Sequence, residues 1–231
     1  MYDNNKILGI IPARGGSKGI PRKNIQIISG KPLIAWSIIN AQQSKYIDKI
    51  ILSSDDNEII SIAKQWKCDV PFVRPKELAE DDTPGIAPVL HAIQQFPDYD
   101  YIVLLQPTSP LRAVDDIDGC IEFCMQQNSK ICVSVTEPPK NPFLLCTINT
   151  SPYIQPFHAN GFIPTRQEIP EIFMINGAIY VAQAEWLNST QSFLTPETIA
   201  YFMPYNRSLD IDTELDMKIC ELLLNEQRIN G

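Results

Sequence analysis

Lys6-Ile-Leu-Gly-Ile-Ile-Pro-Ala-Arg-Gly-Gly-Ser-Lys-Gly-Ile-Pro-Arg-Lys-Asn24 decides how the rest of the chain is read. Its opening is a short apolar run, Ile7 to Ile11, stopped by Pro12. That is the pattern of a strand buried on both faces of a parallel sheet. The residues that follow change character. Ala13 to Asn24 holds Gly15, Gly16 and Gly19, the hydroxyl of Ser17, and the cations Arg14, Lys18, Arg22 and Lys23. Glycines let backbone N–H groups approach a phosphate closely. Clustered cations supply fixed charge to hold it. The spacing matches neither the GxxxxGK[ST] phosphate loop nor the GxGxxG dinucleotide fingerprint. A solvated basic loop is the plain alternative. By its own chemistry the segment predicts a phosphate site at the carboxyl end of a first strand, where open α/β sheets bind ligands.

Working outward, strands are predicted at Lys49–Ser53, Val70–Val73, Tyr101–Leu105 and Ile131–Val135. Helical periodicity falls at Pro32–Ser44, Asn57–Trp66, the later part of Thr83–Phe96, and Val114–Gln127. This alternation implies βαβ units and an α/β, doubly wound, mostly parallel central sheet. The loops after Ile11, Leu52, Leu105 and Val135 should then share one face. From Pro138 to Pro170 prolines are frequent and the periodicity is lost, which predicts an extended arm within 138–200. Strand patterns return at Gly177–Ala182 and Ala200–Pro204, and Glu214–Gln227 is an amphipathic helix. The 231 residues suit a single domain spanning 1–231.

A net charge of -8 argues against nucleic acid or an anionic membrane as the partner. No apolar run is long enough to span a bilayer, and Met1–Lys6 is too polar to open a secretory signal. The six cysteines form no CxxC pair, so reduced thiols in a cytoplasmic protein are expected. His91 is read as a hydrogen-bonded packing residue on a helix, and His158, in the proline-rich stretch, has no visible acid–base partner; neither is given a role.

Three further groups carry chemistry. Gln106-Pro-Thr-Ser-Pro110 follows a predicted strand and presents an amide and two hydroxyls on a backbone stiffened by proline; an ordinary Ser/Thr turn is the alternative. Asp210 and Asp212 alternate, so an extended backbone points both carboxylates to one side. Oxygen ligands of this kind suit Mg²⁺. The same stretch also reads as the cap of the last helix, and the two readings are compatible. Arg166 could bind a carboxylate through its fork of donors, or stand on the surface.

Ile10 to Asn24, Phe72 to Ala79, Leu104 to Arg112, Thr165 to Pro170, Ile175 to Tyr180 and the Asp210-x-Asp212 pair together resemble the acylneuraminate cytidylyltransferases, the CMP-sialic acid synthetases. The resemblance runs from Ile7 to Leu224. It implies transfer of CMP from CTP to a nine-carbon nonulosonic acid, with release of pyrophosphate. Ala13, Gly15, Gly16, Ser17 and Asn24 would hold the nucleotide, with Arg74 toward the cytosine. Thr83 would assist, because Gly85 stands where relatives place a serine. Arg14, Lys18 and Lys23 would stabilise charge on the phosphates. Gln106, Thr108, Arg166, Asn176 and Tyr180 would bind the sugar, and Arg112 would support its loop. Asp210 and Asp212 would hold Mg²⁺; no side chain stands out as a general base, so the metal or its bound hydroxide would take that role, with Asp212 the fallback. The arm would build a homodimer in which Phe193 reaches across to the partner's pocket. Leu144 and Met174 stand where sialic acid enzymes place Lys and Arg. With Ile20–Asn24 and Arg74–Pro84, they bring the text nearest to enzymes for legionaminic acid. N,N'-diacetyllegionaminic acid is therefore the expected sugar, with N-acetylneuraminic and pseudaminic acids as alternatives. A nucleotide-binding protein without catalysis would be expected to lack the carboxylate pair or the phosphate cations.

Overall fold

β1 (Ile7–Pro12) is buried along its length, because it lies inside a sheet with helices on both faces. The structure is a computed structural model that describes residues 2–17, 19–148, 153–157, 161 and 171–230. A short hairpin, β2 (Ile27–Ile28) and β3 (Lys31–Pro32), follows the basic loop. Then come α1 (Leu33–Gln43), β4 (Lys49–Ser53), α2 (Asn57–Gln65), α3 (Ala87–Gln95), β5 (Tyr101–Leu105), α4 (Val114–Gln126) and β6 (Ile131–Thr136). The remaining elements are β7 (Cys146–Ile148), β8 (Ile154–Pro156), β9 (Met174–Gln183), α5 (Ala184–Thr190), β10 (Ile199–Phe202) and α6 (Glu214–Asn230).

The central sheet runs β4-β1-β5-β9-β6-β10. β1 pairs in parallel with β4 and β5, and β6 with β10. β9 is antiparallel to both β5 and β6. It enters after the long arm rather than through a crossover helix, so nothing requires it to run parallel. The side chains of β1 sort by parity. Ile7 and Ile11 join the core shared with α1, α2 and α4, whereas Leu8 and Ile10 join the core shared with α3 and α5. This is the doubly wound arrangement. A third apolar cluster sits at the site end: Ile20, Leu33, Leu111 and Ile211 pack against Cys220 and Leu224 of α6.

One sequence expectation changes. Val70–Val73 is not a strand. Only Asp69 bridges Ile51, and Pro71 within that run has no N–H for a ladder. The hairpin β2–β3 and helix α5 carry weak periodicity and were not anticipated. Against β6, β9 bulges between its Ile175 and Tyr180 pairings. Gly177 has φ +72° there, a left-handed backbone that suits glycine. Bulges re-aim side chains beside sites, and Asn176 and Gly177 lie within this one. Among the described residues, no helix is long and apolar enough to cross a membrane.

Candidate functional site

The loops after β1, β4 and β5 meet at the carboxyl edge of the sheet, as the alternation requires. A cleft of about 330 Å³ opens there, lined by Arg14, Ser17, Lys23, Asn24, Arg74 and Gln106. A second cavity of about 600 Å³ adjoins it and is lined by Gln106, Asn176, Tyr180, Asp210 and Asp212. A third, about 290 Å³, lies between Gln106, Tyr180 and Phe193. Gln106 is the residue common to all three.

The basic loop is held from several sides. Ala13 donates its N–H to the Ser53 carbonyl at 2.9 Å, and Gly15 donates to Asp55 at 3.0 Å. Asn24 is buried and its amide donates to the Arg14 carbonyl at 3.0 Å, closing the loop on itself. The glycines differ in what surrounds them. A side chain at Gly15 would meet Asp56, and one at Gly19 would lie 2.5 Å from the Asp212 carbonyl oxygen. At Gly16 it would meet nothing within 4 Å. Gly16 therefore opens to the cleft, whereas Gly15 and Gly19 permit backbone docking.

The cations also divide. Arg22, in a left-handed conformation, pairs with Asp56 at 3.1 Å and with Glu58, outside the cleft. Its partners fix the loop. Arg14 faces the cleft, donates to the Glu80 carbonyl at 3.0 Å and pairs with Asp81 at 2.9 Å. Lys23 donates to the Ile211 carbonyl at 2.6 Å and reaches Asp212 at 3.3 Å. It thus ties the basic loop to the acidic segment. Lys18 and Arg166 lie outside the described residues.

Arg74 is buried at the floor of the cleft. Its guanidinium donates to Ser53, through Nε to the hydroxyl at 3.1 Å and through Nη2 to the carbonyl. Burial pushes its pKa down to about 10. Thr83 and Gly85 line the same cleft, and the Thr83 hydroxyl donates to the Glu77 carbonyl at 2.9 Å.

The acidic pair is asymmetric. Asp210 is largely buried, and burial raises its carboxyl pKa, opposed by a hydrogen bond from Thr108 and reinforced by Asp212. Its Oδ1 is buried with no hydrogen-bond partner. Asp212 is 75% exposed at its side chain. Ile211 between them is fully buried and donates its N–H to the Thr108 carbonyl at 2.9 Å. That anchoring is why both carboxylates turn away from the core. Asp216 and Thr213 exchange hydrogen bonds at the start of α6, so capping falls to them. A buried, unpartnered carboxylate oxygen beside an exposed carboxylate fits a hard divalent cation that completes its shell with phosphate oxygens and water.

On the sugar-side residues, Tyr180 lines the second and third cavities, and burial raises its phenol pKa. Phe193 is buried within its own chain, its ring 5.0 Å from that of Tyr180. It does not project outward from the described fold. Asn176 lines the second cavity, but its amide is already engaged. Its Oδ1 accepts from Ser134 at 2.5 Å and from the Ala178 N–H at 3.1 Å, and its Nδ2 donates to Ser208 at 2.9 Å. It therefore braces β9 against the segment leading to Asp210. Sequence reasoning missed Asp81, because nothing in its local sequence points to Arg14. Its proximity to Arg14 comes only from the fold.

The sequence matches the cytidylyltransferase family over residues 8–201. It is 37% identical to a pseudaminic acid cytidylyltransferase of Campylobacter jejuni over 226 residues, covering 94% of this chain and 96% of that protein. It is 33% identical to a CMP-N,N'-diacetyllegionaminic acid synthase of Legionella pneumophila over 225 residues, covering 95% of this chain and 96% of that protein. Its fold is similar to that of a CMP:2-keto-3-deoxy-manno-octonic acid synthetase solved with CTP, with a TM-score of 0.73 and 16% identity over 96% of this chain and 99% of that one. A cleft ringed by Arg14, Lys23 and Arg74 and joined at Gln106 to a carboxylate pair is thus set in a matching sequence and fold, and this chain belongs to the cytidylyltransferase family.

Proposed function

We propose that this protein joins CMP from CTP to a nonulosonic acid, N,N'-diacetyllegionaminic acid being the best-supported sugar, and releases pyrophosphate. The observation that carries the reading is the junction at Gln106. A cleft with cations and an open Gly16 lies on one side, and a cavity ending in Asp210 and Asp212 on the other. In the reaction the anomeric hydroxyl oxygen bonds to the α-phosphorus, and the bond from that phosphorus to the pyrophosphate oxygen breaks. Arg14, Lys18 and Lys23 stabilise the growing negative charge on the phosphates. For Arg14 this requires phosphate to replace Asp81 as its partner. Asp212, the more exposed carboxylate, accepts the hydroxyl proton. Mg²⁺ held by Asp210 and Asp212 would neutralise phosphate charge and lower the pKa of the attacking hydroxyl.

The sugar assignment rests on apolar walls. Met174, Ile175, Tyr205, Ile219 and Leu223 line the second cavity, which suits a 9-deoxy sugar with a second acylated nitrogen, as legionaminic and pseudaminic acids both are, better than sialic acid. Pseudaminic acid is the second reading, favoured by the 37% identity to an enzyme named for it. Pyrophosphate release from CTP and Mg²⁺ tests both. Legionaminic acid should give kcat/KM about tenfold above N-acetylneuraminic acid, roughly what a few apolar contacts discriminate. A higher value with pseudaminic acid reverses the choice. No release with any such sugar leaves a nucleotide-binding protein.

A homodimer goes with this reading. In the β7–β8 hairpin Ile148 and Ile154 are exposed, and Phe157 just beyond is 70% exposed. A lone two-stranded hairpin is marginal in water, and grouped exposed apolar side chains mark contact surfaces. Sedimentation should report a dimer, with Ile148→Asp plus Phe157→Asp shifting it to monomer. A monomeric wild type refutes this part. A cytoplasmic location is the companion expectation, because the cytoplasm supplies CTP; recovery in the envelope fraction would count against it.

A further inference from the structure

Arg112 is the largest side chain among those fully buried, and it is charged. Burial pushes its guanidinium pKa down to about 9. Asp116, the carboxylate that offsets this, is itself bound by Arg207 through two hydrogen bonds of 2.7 and 2.8 Å. Among the described residues, the hydrogen-bond partners of Arg112 are neutral. Nη1 donates to the Ala178 carbonyl at 2.6 Å and to the Gln106 carbonyl at 3.3 Å, and Nη2 donates to the Ser37 hydroxyl at 2.7 Å. Ser37 in turn donates to the Gln106 carbonyl at 3.2 Å. The Arg112 carbonyl accepts from Asn40 of α1. A buried cation whose own hydrogen bonds go to neutral acceptors is costly, and an apolar side chain of similar volume would remove that cost.

What the guanidinium holds explains its presence. Gln106 is the residue common to the three cavities, and Ala178 lies in the β9 bulge. Gly177, next to Ala178, brings its backbone so near that a Cβ there would lie 3.0 Å from the Gln106 amide oxygen. Arg112 therefore grips both sides of the contact that orients the Gln106 amide. Its fork can serve two carbonyls and a hydroxyl at once, which a lysine cannot. Its hydrogen bonds go to residues 37, 106 and 178, away from the loop 13–24.

We propose that Arg112 is a positioning residue that sets the Gln106 amide for the sugar by clamping the Gln106 and Ala178 carbonyls together. This rests on the reading of Gln106 as a sugar contact. Arg112→Met should remain folded, with its melting temperature within a few degrees of wild type. Its KM for the sugar should rise about tenfold or more, while KM for CTP changes by less than about threefold, as expected for a small misplacement confined to one substrate. Arg112→Lys should fall between the two. Gln106→Ala should reproduce the sugar defect. If Gln106→Ala shows the defect and folded Arg112→Met does not, the clamp is wrong and the Gln106 reading stands. If Gln106→Ala is silent, both fall. Equal rises in the two KM values would mean a general structural role and would overturn the proposal. If Arg112→Met does not fold, Arg112→Lys decides, and a sugar KM within about twofold of wild type overturns it.

Discussion

Asp210→Asn is expected to lower kcat by about 10³-fold or more, the scale for losing one preorganised charge contact or metal ligand in a site. The fold should survive. Asp210 is desolvated, its Oδ1 has no partner, and its pKa is raised. A carboxyl whose folded pKa lies above its unfolded value binds protons on folding, so its stabilising contribution is present at low pH and fades as pH rises through that window. At neutral pH the charged form is a burden, and Asn keeps the shape without the charge. Melting temperature at pH 7 should therefore hold or rise. A second readout is independent of turnover. Mg²⁺ with CTP should raise the melting temperature of wild type more than that of Asp210→Asn, because a ligand that binds only the native state stabilises it. Near-normal kcat, or equal shifts in both proteins, would remove Asp210 from the metal site.

Gly19→Ala carries the next largest expected effect. The added carbon would lie 2.5 Å from the Asp212 carbonyl oxygen, which is backbone and cannot rotate aside. One of the two segments must move. Lys23 crosses the same seam to the Ile211 carbonyl and the Asp212 carboxylate, so the basic loop and the acidic pair dock as one unit. A shift of about 1 Å between them should cost about 100-fold in kcat/KM for CTP. Gly16→Ala is the control. Its new methyl meets no protein atom within 4 Å, so stability should not change, while KM for CTP should rise because the methyl enters the space proposed for the nucleotide. Wild-type kcat/KM in Gly19→Ala would separate the two segments functionally.

Most of the sheet was legible in the sequence because its strands are buried on both faces. Ile7–Ile11, Lys49–Ser53 and Tyr101–Leu105 are short apolar runs with clear stops, and they pair as β1, β4 and β5. Val70–Val73 shows the limit of that signal. An apolar run marks burial or β-propensity, and Pro71 decided against a ladder. The direction of β9 was also not readable, since strand polarity depends on how the chain returns to the sheet.

At the site, residue types were legible and partners were not. Ala13–Asn24 announced a basic, glycine-rich loop at the cleft, and alternation announced that Asp210 and Asp212 share a side. Which cations remain at the cleft depended on neighbours far along the chain: Asp56 and Glu58 engage Arg22, Asp81 engages Arg14, and Ile211 engages Lys23. The same holds for Arg112 and Asn176, whose side chains are committed to Ala178, Gln106, Ser134 and Ser208. Sequence alone therefore determined the fold class, the glycine-rich basic loop and the alternation of the carboxylate pair, because periodicity and local composition encode them within a few residues. Tertiary structure alone decided which of these groups face the cavities and which brace them, because ion pairs, close glycine contacts and buried hydrogen bonds join residues separated by tens to nearly two hundred positions.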